Sequence, residues 1–116
     1  MTARVQFIEG LDEELANISL RKRRDTEVKI VVLFFEQVRA IENIRSFTNK
    51  IDILWLRDEE GDIQVTPTGI KFKFGEDEEN PKGEAECSFE VSNDEDWERV
   101  MRFLHRYADQ NGFEFQ

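Results

Sequence analysis

Hydrophobic and polar positions along the chain change period near residue 92. Before it, apolar residues tend to recur at every second position, as in β-strands. After it they recur every three or four, as on one face of a helix. Arg4 to Ile8 predicts a short strand with Val5 and Phe7 on one face, closed by Gly10. Leu11 to Leu15 reads as an acidic connection. Alternation resumes at Ile18 and leads into the basic run Arg21, Lys22, Arg23, Arg24. Val28 to Phe35 is the most β-prone segment, and both of its faces are apolar, as expected of a central strand covered on both sides. Gln37 to Thr48 spaces Val38, Ile41, Ile44 and Phe47 by three, which suits a helical turn or an irregular crossover.

Ile51 to Leu56 predicts a strand that turns at Asp58-Glu59-Glu60-Gly61, with Ile63 and Val65 returning as its partner. Pro67 and Gly69 interrupt that strand. Ile70 to Phe74 points three apolar side chains inward and Lys71 and Lys73 outward, and a charged loop from Gly75 to Gly83 follows. Glu84 to Val91 alternates in the opposite sense, with Glu84, Glu86 and Glu90 outward. Pairing of these two strands would set lysines against glutamates, at roughly 0.2–1 kcal/mol per pair.

From Ser92 the pattern is helical. Ser92 and Glu95 match a capping box, Asp94 to Asp96 sit at the positive end of the dipole, and Gly112 supplies a left-handed stop. The stripe is Trp97, Val100, Met101, Leu104, Tyr107 and Ala108. The expectation is one α+β domain over residues 1–116, an antiparallel, sandwich-like sheet meander packed on one C-terminal helix.

Composition narrows the function. The chain has 116 residues, a net charge of −10 and ten Phe with two Trp, enough aromatic mass for a core. The charge disfavours polyanion binding, so no nucleic-acid partner is expected. The single cysteine, Cys87, excludes an internal disulfide and fits a reducing compartment. Without a long apolar run or a signal pattern, the chain reads as soluble and intracellular, meeting a membrane only through a protein partner.

Catalytic chemistry finds little support. His105 is the one histidine and sits off the apolar stripe between Arg102 and Arg106. A hydrolase or isomerase would have to use it, whereas a helix-surface histidine needs no such role. Cys87 lies on the inward side of a strand. The acidic clusters at Asp58 to Asp62 and Glu76 to Glu79 lack calcium-loop spacing and read as solvated turns. The run Arg21 to Arg24 stands out in an acidic protein as a docking patch for carboxylates or anionic head groups. Lys71 and Lys73 are second choices for docking. Arg102 and Arg106, with Arg99, could either pair with Glu95 and Glu98 or touch a partner. The sheet must also leave edges that could accept a partner strand, which alone would suffice for a generic adaptor.

The segment Trp97, Glu98, Arg99, Met101, Arg102, Phe103, Arg106, Tyr107, Asn111, Gly112, Phe115 resembles the C-terminal helix of the photosystem II reaction-centre Psb-twenty-eight family. Further matches are the acidic turn Asp58 to Ile63, Leu20, Lys22 and Arg24 leading to Phe35-Glu36, and Gln6-Phe7 before Gly10. Thr26 and Lys29 stand where the family has glycines, and Gln37-Val38 where it has a proline. These departures suggest a diverged second paralogue. The resemblance implies a non-catalytic assembly or repair factor, peripheral on the cytoplasmic face of the thylakoid and without a cofactor. It also implies transient association with immature photosystem II. The expected partners are the two reaction-centre subunits and the inner antenna protein, whose tail adds a strand to the family's sheet.

Overall fold

The computed structural model describes residues 3–39, 53–74 and 83–112, with 73 and 74 described in backbone only. The expected elements within 40–52, the loop from 75 to 82 and Phe115 lie outside the described residues.

Eight strands precede one helix: β1 (Arg4–Ile8), β2 (Leu11–Glu13), β3 (Asn17–Lys22), β4 (Lys29–Phe35), β5 (Leu54–Asp58), β6 (Gly61–Val65), β7 (Gly69–Phe74), β8 (Gly83–Val91) and α1 (Asp94–Asn111). They form two antiparallel four-stranded sheets, ordered β2-β1-β5-β6 and β3-β4-β8-β7. The α+β class with a sheet against a C-terminal helix is therefore what the molecule shows. The predicted ladder between β7 and β8 also forms, with Lys71 opposite Glu86 and Lys73 opposite Glu84.

One apolar cluster joins both sheets and the helix. It includes Val5 and Phe7 of β1, Leu54 and Leu56 of β5, Val31, Leu33 and Phe35 of β4, Cys87 and Phe89 of β8, and Val100, Leu104 and Tyr107 of α1. The rings of Phe7 and Phe35, from different sheets, stand 4.8 Å apart. β4 is an inner strand as predicted. Its second face is only partly covered, because Val32 is buried there while Ile30 and Phe34 are half-buried.

Three local expectations are corrected. Leu11 to Glu13 is a strand rather than a connection. Gly10 takes φ 94, which lets the chain reverse between Ile8 and Leu11. Gln6 then fastens the hairpin, accepting from the Gly10 amide at 2.9 Å and donating to Asp12 at 2.6 Å. The N-cap is Asn93, not Ser92, because the β4–β8 ladder runs to Val91 and the helix starts one residue later. Asn93 Oδ1 accepts from the Asp96 amide at 2.8 Å, and its Nδ2 donates to the Asp96 carboxylate at 2.8 Å. Finally, Phe103, absent from the predicted stripe, is fully buried. The helix wraps its apolar stripe wider than a narrow seam because it meets both sheets.

Gly112 closes the helix at φ 71, with its amide donating to the Ala108 carbonyl. The helix is fixed along its length by polar contacts. Gln110 exchanges hydrogen bonds with the Ala3 backbone, the Leu15 amide donates to Tyr107 Oη at 2.9 Å, and Lys29 Nζ lies 4.6 Å over the Trp97 ring. A fourth anchor, made of arginines, bears on function.

Candidate functional site

Three arginines lie on one side of α1, at positions 99, 102 and 106, spaced by one turn and then by one turn more. They reach the tip of the β5–β6 hairpin. Arg99 grips Asp58 with both terminal nitrogens, at 2.6 and 2.9 Å, and donates to the Gly61 carbonyl at 3.1 Å. Arg106 donates to the second Asp58 oxygen at 2.9 Å, to Glu60, and pairs with Glu59 at 3.1 Å. Arg102 forks onto Glu60 at 2.9 and 3.0 Å.

Asp58 is 1% exposed, so the acidic turn is not simply solvated as expected. Burial alone would push its carboxyl up. Hydrogen bonds from Arg99 and Arg106 overcome that and hold it at about 2 instead of 3.8. Donation from Arg102 and Arg106 likewise brings Glu60 down to about 2. The same bonds raise Arg102 and Arg106 above their ordinary value. Arg102 and Arg106 were expected either to touch a partner or to pair with Glu95 and Glu98. The contacts they make are with Glu59, Glu60 and Asp58. A sequence clue to this was present in Glu59-Glu60 at a tight turn, but not the distance in space between turn and helix.

The basic run occupies the opposite situation. Arg21 and Lys22 end β3, and Arg23 and Arg24 begin the turn to β4, where Asp25 takes a left-handed φ of 62. All four are exposed. Arg23 meets Glu90 at 3.1 Å, and Lys22 meets Glu27 only at 3.9 Å on largely exposed side chains. Arg21 and Arg24 have no ionic partner among the described residues. The structure thus brings Arg21 to Arg24 together at one hairpin end. Lys71 lies apart from them on β7, at the far edge of the same sheet.

Chemistry of the catalytic kind has no assembled site among the described residues. Cys87 is buried, and desolvation pushes its thiol up to about 12, far from a nucleophilic thiolate. His105 is exposed on α1. A cleft of about 690 Å³ opens beside Lys71 and is lined by Asn17, Phe34, Phe72, Glu84 and Glu86. It combines ladder carboxylates with half-buried rings and holds no histidine or cysteine. No group of metal-ligating side chains occurs among the described residues, and none of their helices is long and apolar enough to cross a membrane. Each sheet ends in two edge strands, β2 and β6 in one, β3 and β7 in the other.

Comparison with known proteins places these features in a family. The family model described as Psb28 protein matches residues 5–115. The photosystem II reaction center Psb28 protein of Acaryochloris marina is 30% identical over 118 aligned positions, covering 99% of this chain and 97% of the relative. That of Cyanophora paradoxa is 32% identical, covering 97% and 95%. That of Guillardia theta is 31% identical, covering 96% and 92%. With a match over nearly its whole length, the chain belongs to the Psb28 family.

Proposed function

We propose that this protein is a non-catalytic accessory factor of photosystem II. In this reading it docks transiently on immature core complexes during assembly or repair, at the cytoplasmic face of the thylakoid. The observation that carries the reading is the full-length family match, whose relatives are named for the photosystem II reaction centre. The exposed basic hairpin on a chain of net charge −10 supplies the physical means. An acidic body with one cationic end approaches a partner in a preferred orientation, and charge complementarity governs encounter more than final affinity. Arg21, Lys22, Arg23 and Arg24 are the docking residues in this account, with Lys71 and Lys73 as a second contact. Arg102 and Arg106 serve the fold through the clamp on Glu60 and Asp58.

The partners in this reading are the two reaction-centre subunits and the inner antenna protein. The factor works as a monomer without a cofactor and reaches the membrane through those proteins. Affinity capture from solubilised photosynthetic membranes tests it. Recovery of immature core subunits without the oxygen-evolving extrinsic proteins is the expected result. If no core subunit is recovered, the reading fails, and the four edge strands would favour a generic strand-accepting adaptor instead.

A further inference from the structure

We infer that the corner where the β3–β4 hairpin meets the start of α1 binds an acidic protein segment that carries an apolar side chain. The inference rests on the docking reading above and specifies the chemistry of what docks there. The hairpin and the helix touch at this corner. Lys29 lies over the Trp97 ring at 4.6 Å, and across the ladder Lys29 is the register partner of Lys22. Lys22 and Lys29 thus share the face of the sheet that meets Trp97, whereas Arg21 pairs with Ile30 on the other face, where Arg23 meets Glu90.

That ring is not fully used by the core. Trp97 and Met101, one turn apart on α1, and Leu20 on β3 each pack against the core while keeping part of their surface in solvent. Trp, Met and Arg are the residue types that protein interfaces favour, because large half-exposed side chains gain most when a partner removes their remaining surface from water. Residues 21–29 carry five cations and two acids; Lys22 and Lys29 stand on the Trp97 side, and Arg24 lies in the turn between the two strands.

A lipid surface fits less well. Asp25 and Glu27 at the turn would face the head groups, and residues 21–27 contain no apolar side chain to insert. An anionic bilayer or nucleic acid would also repel the rest of a protein carrying −10. A peptide segment can instead place its carboxylates selectively. The first turns of α1 carry Asp94, Glu95 and Glu98, so the segment's acids belong on the hairpin side and its apolar side chain on the Trp97 side.

The test uses the full chain and a labelled synthetic peptide with glutamates on one side of a single phenylalanine, read by fluorescence anisotropy. Expected is saturable binding that weakens with salt. Lys22→Glu/Arg24→Glu should loosen it by about ten-fold or more, as should changing the phenylalanine to glycine. Trp97→Phe, which keeps a ring, should reduce binding less than Trp97→Ala, with thermal unfolding confirming that each variant folds. Absence of saturable binding would overturn the inference, as would equal affinity in the charge-reversed variant. Tighter binding to vesicles of equal phosphatidylglycerol and phosphatidylcholine than to the peptide would overturn it in favour of a lipid surface. Capture of core subunits by the unaltered protein separates the two levels. If capture succeeds and the peptide fails, only this inference falls.

Discussion

The arginines of α1 and those of the β3–β4 hairpin are chemically the same, yet the fold uses them in opposite ways. Arg99 is mostly buried and holds a carboxylate that is itself out of water, so each charge depends on the other. Arg23 and Lys22 pair with acids at the surface, where an ion pair contributes little, and Arg21 and Arg24 have no such partner among the described residues. The difference follows from surroundings. A helix lying on a core brings its arginines against the β5–β6 turn, whereas a hairpin end extends past the last ladder pair into water. Density of charge in a sequence therefore says little about where binding occurs. What matters is which charges the fold leaves unsatisfied.

The largest effect is expected at Asp58. Asp58→Ala leaves the Arg99 guanidinium facing a site without its carboxylate and should cost roughly 3–5 kcal/mol in urea unfolding. A loss below about 1 kcal/mol would mean that the helix arginines are as dispensable as the hairpin ones. Acid titration sharpens the same point. The Asp58 carboxyl is depressed in the fold, so its stabilisation is fully present above pH 3.8 and is lost as pH falls toward about 2. Its share is about 2 kcal/mol. Glu60 adds to the same trend, starting to lose its contribution below 4.5. Denaturant midpoints measured through that window should fall steeply in the natural protein and less in Asp58→Asn.

Trp97→Ala comes next, at about 1–2 kcal/mol, because the ring is only half-buried against the core. A loss near the roughly 3–5 kcal/mol of a core aromatic would place Trp97 among the structural residues alone. The smallest effect belongs to Arg23→Ser. Removing its exposed pair with Glu90 should shift stability by less than about 0.5 kcal/mol. A larger loss in thermal unfolding would show that the hairpin cations also hold the fold.

Much of the architecture could be read along the chain, and the reasons are local. The alternation in Ile70–Phe74 against Glu84–Val91 gave both strands and the facing of lysines and glutamates between them, since the side-chain period fixes which residues share a face. Gly112 marked the helix stop because a left-handed residue there favours glycine. What escaped depended on distant parts of the chain. The short strand Leu11–Glu13 has an acidic, unpromising sequence and exists because Gln6 and Gly10 fold it back. Phe103 lies in the same core cluster as residues of both sheets, a placement the helix period alone does not fix. The basic run was legible as a docking candidate from its contrast with an acidic chain. The contacts of Arg102 and Arg106 with Glu60 and Asp58 were not, because those carboxylates lie more than forty positions away in sequence.

In the proposed division of labour, the hairpin cations dock while the helix arginines hold the fold. It is tested most directly by capturing photosystem II core subunits with the natural protein and with Arg21→Glu/Arg24→Glu, at low and high salt. The unfolding midpoint of each is measured alongside. The account predicts an unchanged midpoint and a capture that falls sharply in the variant, with high salt weakening the natural protein toward the same level. Equal capture by both proteins at both salts, with midpoints unchanged, would contradict it.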